Sequence, residues 1–193
     1  MNVCYITDNN YVQHTLVSMS SLLANKFPTS KWDVHVVCDN VDSERKQMLK
    51  NLDQEGFRVM LVDHKNTFTK KSYEQGKYIS ASTYIRLNLP SVFPKMDKLL
   101  YLDGDTIILG DLAELYNLDM SDRAIAGSLD YGLCVDSIKW EKVEYVRRTL
   151  PNYETEYLNA GVLLMNLAEL RRIGFERTCR RLYEERTDFI FAD

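Results

Sequence analysis

The 193-residue sequence lacks most of the features that would tie it to a membrane, a nucleic acid or a redox centre. No apolar run approaches the roughly 20 residues of a bilayer span. Asn2-Val3-Cys4-Tyr5 offers neither a basic start nor a long apolar stretch, so it does not read as a secretory leader, and a cytoplasmic location is expected. The 24 Lys and Arg residues are outnumbered by 28 Asp and Glu, and they are spread along the chain. Without a basic cluster, neither nucleic acid nor an anionic bilayer is an expected partner. Cys4, Cys38, Cys134 and Cys179 have no zinc or redox-motif spacing, and read as small buried hydrophobes in a reducing compartment. His14, His35 and His64 share no ligand spacing. There is no glycine-rich phosphate loop, and no Ser/His/Asp or Cys/His order that would suggest a hydrolase.

What is present is a globular composition, 45% hydrophobic and 27% charged, without repeats or linkers, which suits a single domain over residues 1–193. Val3 to Ile6, Trp32 to Cys38 and Phe57 to Val62 read as buried strands. Between them, Val12, Leu16, Met19 and Leu23 mark one helix, with Asp8 or Asn9 as its cap. A second helix opens at Ser43 and Glu44 and is ended by Gly56. This βαβαβ pattern predicts an α/β fold with a mostly parallel, Rossmann-like sheet. Thr67 to Lys77 reads as a polar surface loop, and Ser80 to Leu87 as a short helix stopped before Pro90. Strands are expected at Lys98–Leu102, again at Thr106–Leu109, at Ala124–Gly127 and at Gly161–Asn166. A short helix is expected from Asp111, another over Ser137–Arg148, and basic helices after Asn166.

Three constellations carry chemistry. Asp103-Gly104-Asp105 follows the most strand-like run in the chain, and residues two apart in an extended segment project to one side. Paired carboxylates at the end of a central strand suit Mn²⁺ or Mg²⁺, which would clamp a diphosphate, and Gly104 leaves room for a ligand to approach. Alone, such an Asp-Gly turn is also an ordinary hairpin signal. Asp8-Asn9-Asn10-Tyr11 ends the first strand; an Asp there suits the N3–H of uracil, and Tyr11 offers a face for stacking. Arg86 is suited to phosphate oxygens, although a lone Arg is more often a solvated surface charge, and Asn159 to sugar hydroxyls, although a turn-forming Asn beside Gly is the plainer reading.

Together with their order and separation, Ile6-Thr7-Asp8-Asn9-Asn10-Tyr11, Ser82 to Leu87, Tyr101 to Asp105 and Tyr157 to Leu167 resemble glycosyltransferase family eight. That family includes bacterial lipopolysaccharide galactosyl- and glucosyltransferases and glycogenin. The resemblance implies a GT-A fold and metal-dependent, retaining transfer of galactose or glucose from a UDP-sugar to a saccharide or glycoconjugate. Ile6, Thr7, Asp8, Asn9, Asn10 and Tyr11 would line the uridine site. Asp103 and Asp105 would hold the metal, with Gly104 between them, and Arg86 and Asn159 would hold the diphosphate and sugar. Asp130 falls where the family lines the sugar and acceptor site, and Asp193 where an Asp-Gln-Asp segment begins. The family continues to a His-x-x-Gly-x-x-Lys-Pro-Trp motif that supplies a third metal ligand, so the resemblance implies a chain lacking its C-terminal part. Peripheral membrane association would run through that part. A front-face substitution is implied, since no covalent nucleophile stands out. The rivals are a non-catalytic UDP-sugar-binding module and a sugar nucleotidyltransferase; the second normally needs a glycine-rich basic loop where this chain has Asp8-Asn9-Asn10-Tyr11.

Overall fold

The computed structural model describes residues 1–65, 67, 68, 81–130, 148 and 157–185. The strands are β1 (Asn2–Asp8), β2 (Trp32–Asp39), β3 (Phe57–Asp63), β4 (Lys98–Leu102), β5 (Ile125–Leu129) and β6 (Leu158–Asn166). They form one sheet in the order β3-β2-β1-β4-β6-β5. β1 to β4 are mutually parallel, and β6 runs antiparallel to both of its neighbours. Around the sheet lie α1 (Val12–Asn25), α2 (Ser43–Lys50), a 3₁₀ helix (Ala81–Asn88) continuing into α3 (Leu89–Val92), α4 (Ala113–Tyr116), α5 (Leu167–Arg172) and α6 (Phe175–Glu185). This is the expected α/β architecture with a mostly parallel sheet.

The continuous apolar runs of β1, β2 and β4 are explained by burial on both faces. Alternation then assigns each residue to a face. Val3, Tyr5, Val34, Val36, Leu100 and Leu102 join one core with Met19, Leu22 and Leu49 from α1 and α2. Cys4, Ile6, Leu99 and Tyr101 join the other, with Ile85, Leu89, Leu167 and Leu170 from the helices beyond β3. Tyr101 therefore faces the layer that carries Arg86.

Several expectations are corrected. Thr106–Leu109 is not a strand, because the turn after β4 leads this segment along α1 instead: Ile108 N donates to Ser21 Oγ at 2.9 Å and Asn25 Nδ2 to Ile108 O at 3.0 Å. The helix expected before Pro90 is a 3₁₀ helix that ends at Asn88, and Pro90 itself sits in the first turn of α3, where its missing N–H is harmless. Gly56 does not end α2, which closes at Lys50, but takes φ +74° in the turn entering β3. Neither Asp8 nor Asn9 caps α1, whose N-cap is Tyr11 without a side-chain bond. The Gly161–Asn166 strand begins earlier, at Leu158, so Asn159 lies within β6. The 69–77 stretch and the 137–147 helix fall outside the described residues.

Asn166 joins β6 to α5 and fixes both ends of its amide. Its Oδ1 accepts from Glu169 N at 3.0 Å as the α5 cap, and its Nδ2 donates to Met120 O at 3.0 Å. Asn166→Ala is expected to cost about 1–2 kcal/mol. Urea unfolding would show this as a lower midpoint at unchanged slope.

Candidate functional site

β1, β2 and β4 all end in Asp at their carboxyl edge: Asp8, Asp39 and, one residue past β4, Asp103. Parallel strands bind ligands at this edge. Asp8 Oδ1 accepts from the backbone N–H of Asn10 at 2.9 Å and of Tyr11 at 3.1 Å, folding the β1–α1 turn around its own carboxylate. Asn9 turns the other way, its Oδ1 accepting from Asp42 N at 2.9 Å, so it ties this turn to the start of α2. Ile6 and Thr7 have buried side chains, Thr7 Oγ1 lying 3.1 Å from Thr15 Oγ1. A ligand would meet these two through main chain only.

Tyr11 reaches across to the second turn. Its hydroxyl donates to Asp105 Oδ2 at 2.8 Å, and its ring lies against Gly104 and His14. The phenol is pushed up to about 12, first by desolvation, then by the Asp105 bond and the charges of Asp105, Asp103 and Asp8. All three carboxylates thus bear on one phenol, 37% exposed. Carboxylate oxygens are hard ligands that suit a divalent cation, and Asp103 and Asp105 are the residues that could hold it. Among the described residues no group of three or more His, Cys, Asp and Glu forms a complete metal cluster.

Gly104 is required by packing. A Cβ there would stand 2.6 Å from Thr15 Oγ1 and 3.3 Å from the Tyr11 ring, so its missing side chain seats the turn on α1. Asp103 is held from three directions. Its N–H donates to Gly161 O at 2.8 Å, its Oδ1 accepts from the Tyr101 hydroxyl, and its Oδ2 lies over Gly161, where a Cβ would approach it to 3.2 Å. Arg86 is buried, its Nη1 donating to Ala160 O at 2.9 Å and its Cζ 5.7 Å from the Tyr101 ring centroid. Burial pushes the Tyr101 phenol well above its ordinary range, against the lowering influence of Arg86. Asn159 Oδ1 accepts from Gly161 N at 3.0 Å, and Asp130 N donates to Tyr157 O at 3.0 Å where β5 and β6 open towards the same edge. Asp193 lies outside the described residues.

The structure therefore brings Asp8, Tyr11, Asp103 and Asp105 together, with Arg86 joined to them through Tyr101 and Ala160. Sequence reasoning missed Tyr101 and Gly161. Tyr101 was signalled by its position two before Asp103, on the same face of an extended segment. Gly161 carried no signal, because only the tertiary approach of Asp103 makes it matter. A separate groove of about 480 Å³ lies among Pro90, Ser91, Arg171, Gly174, Arg177 and Arg180. It sits where β6 ends and β4 begins, so it is remote from the carboxylates. Its Arg171 is occupied by the carbonyls of Pro90, Phe93 and Met96.

A mostly parallel sheet with carboxylates at the ends of β1 and β4, and β6 returning beside them, is the GT-A glycosyltransferase arrangement. Residues 2–193 match the model of Glycosyl transferase family 8, and the chain belongs to that family. It is 30% identical to the lipopolysaccharide 1,2-glucosyltransferase of Escherichia coli over 172 residues, covering 87% of this chain and 48% of the relative. It is also 30% identical to the lipopolysaccharide 1,3-galactosyltransferase of Salmonella typhimurium over 168 residues, 86% of this chain and 48% of the relative. Among solved structures it resembles galactosyltransferase LgtC in complex with donor and acceptor sugar analogs, with TM-score 0.78, 26% identity, and coverage of 96% of this chain and 66% of that one. The chain thus spans about half the length of the curated relatives it matches. No helix among the described residues is long and apolar enough to cross a membrane.

Proposed function

We propose that this chain carries the donor side of a retaining hexosyltransferase, moving galactose or glucose from a UDP-sugar to a saccharide or glycoconjugate with Mn²⁺ or Mg²⁺. The observation that carries this reading is the junction of the two turns, where Asp8 Oδ1 accepts from Tyr11 N and the Tyr11 hydroxyl donates to Asp105 Oδ2, with the Arg86 guanidinium buried nearby. Asp8, Asn10 and Tyr11 would receive uridine: an acceptor for N3–H, a polar rim and a ring face. Ile6, Thr7 and Asn9 shape the wall behind it. Asp103 and Asp105 would hold the metal, which when bound supplies charge neutralisation to the departing UDP. Arg86 would add positive charge at the diphosphate, Asn159 would contact the sugar, and Asp130 would border the acceptor. Asp193 is assigned to the same side by family resemblance.

Calorimetric titration of UDP with and without Mn²⁺ tests this. Binding that appears only with Mn²⁺ is the expected result, and a panel of UDP-sugars then identifies the donor. Equal binding in both conditions would remove the metal from the site, and no binding in either would end the donor-site reading. Turnover with a UDP-sugar separates an enzyme from a binding module, and the anomeric configuration of the product tests retention.

A further inference from the structure

The two carboxylates of Asp103-Gly104-Asp105 are not equivalent. Asp105 accepts from Tyr11, which lies at the rim, 37% exposed. Asp103 accepts from Tyr101, which is 3% exposed and packed within the second core. A carboxylate bound by a rim side chain can swing, whereas one bound by a core side chain cannot. The backbone adds to the constraint, since Asp103 N–H is tied to Gly161 O at 2.8 Å. Oδ1 accepts from the Tyr101 hydroxyl, and Oδ2 would stand 3.2 Å from a Cβ placed on Gly161. The ring of Tyr101 is fixed in turn by Arg86, whose Cζ stands 5.7 Å from its centroid while Nη1 grips Ala160 O.

We propose that Tyr101 is a positioning residue for the metal site: its hydroxyl holds Asp103 Oδ1 and so fixes the orientation in which this carboxylate would meet the divalent cation. Groups behind metal ligands set ligand orientation, and removing one commonly costs 10- to 100-fold in affinity. The ring joins the same device to Arg86, so the metal-holding carboxylate and the guanidinium are aligned by one side chain. This rests on the reading of Asp103 as a metal ligand.

The test is titration of Mn²⁺ into wild-type protein, Tyr101→Phe, Asp103→Asn and the double variant, following free and bound Mn²⁺ by electron paramagnetic resonance. Phenylalanine keeps the ring and its packing and removes only the donor. The expected result is a Mn²⁺ Kd weakened by about 10- to 100-fold in Tyr101→Phe with an altered bound-Mn²⁺ spectrum. In the Asp103→Asn background the same change should alter residual affinity by less than about twofold, because the effect runs through Asp103. Wild-type affinity in Tyr101→Phe would overturn the proposal while leaving the metal site standing. So would an equally large loss when Tyr101→Phe is added to Asp103→Asn. No Mn²⁺ binding by the wild type would remove the metal reading and this proposal together. If Tyr101→Phe does not fold, 3-fluorotyrosine placed at position 101 gives a second route. Its fluorine resonance should shift on saturation with Mg²⁺, and an unmoved resonance would refute the role.

Discussion

Changing Asp103 and Asp105 together to asparagine is expected to abolish Mn²⁺-supported UDP binding, by at least about 100-fold, without unfolding the protein. The choice of asparagine follows from the two tyrosines. Each carboxylate accepts a phenolic hydrogen, Asp103 from Tyr101 and Asp105 from Tyr11. Alanine would leave the buried Tyr101 hydroxyl without that acceptor, at a cost of about 1–3 kcal/mol, and would confuse a folding defect with a binding defect. The amide oxygen of asparagine still accepts, so the variant removes charge and little else. Asp103 and Asp105 lie two residues apart in one turn, and like charges oppose one another when no cation lies between them. The melting temperature of the asparagine pair should therefore equal or exceed that of the wild type in metal-free buffer. The outcome that counts against the site is UDP binding retained at wild-type strength in the presence of Mn²⁺. In that case Asp8, Tyr11 and Arg86 would suffice to hold the nucleotide.

The parallel half of this fold is legible because burial on both faces leaves a plain mark in sequence. Val3 to Ile6, Trp32 to Cys38 and Lys98 to Leu102 are apolar at nearly every position, and the structure places them at the centre of the sheet. Ile107 and Leu109 mislead because they look like a continued strand, yet they are exposed, and the segment is held to α1 by Ser21 and Asn25. Hydrogen bonds from a helix to a passing segment leave no periodicity to read. Within the candidate site, Asp8, Asp103 and Asp105 are visible as acidic residues directly after buried strands. Their partners are harder to see. Tyr101 passes for one more core aromatic, and it is its hydroxyl that reaches the site. Asn9 looks like its neighbours in a polar turn, but its amide serves Asp42 and the entry to α2. Gly104 stands out in the sequence as a position that needs a bare Cα, and the structure supplies a reason in Thr15.

That reason makes Gly104→Ala a second decisive substitution. The new methyl would stand 2.6 Å from Thr15 Oγ1, closer than real side-chain contacts allow, and 3.5 Å from Thr15 Cα. Thr15 cannot retreat: it is fully buried in α1, and its Oγ1 sits between Thr7 Oγ1 at 3.1 Å and Tyr11 O at 3.2 Å. The turn must lift instead, and Thr106 resists this, because its Oγ1 joins Asp103 O at 2.8 Å and Ser18 Oγ at 2.9 Å. Overpacking of this kind costs about 1–3 kcal/mol, or roughly 2–4 °C of melting temperature per kcal/mol for a chain of this size. A lifted turn also draws Asp105 from Tyr11, so Mn²⁺-supported UDP binding should weaken in parallel. Thr15→Ala removes the obstructing oxygen, and the double variant should lose less stability than the two single variants added together, by about 1 kcal/mol. If Gly104 served only to admit a ligand, alanine would leave the melting temperature where it was and reduce binding alone, and Thr15→Ala would rescue nothing. A thermal melt of the four proteins separates the two accounts before any ligand is added.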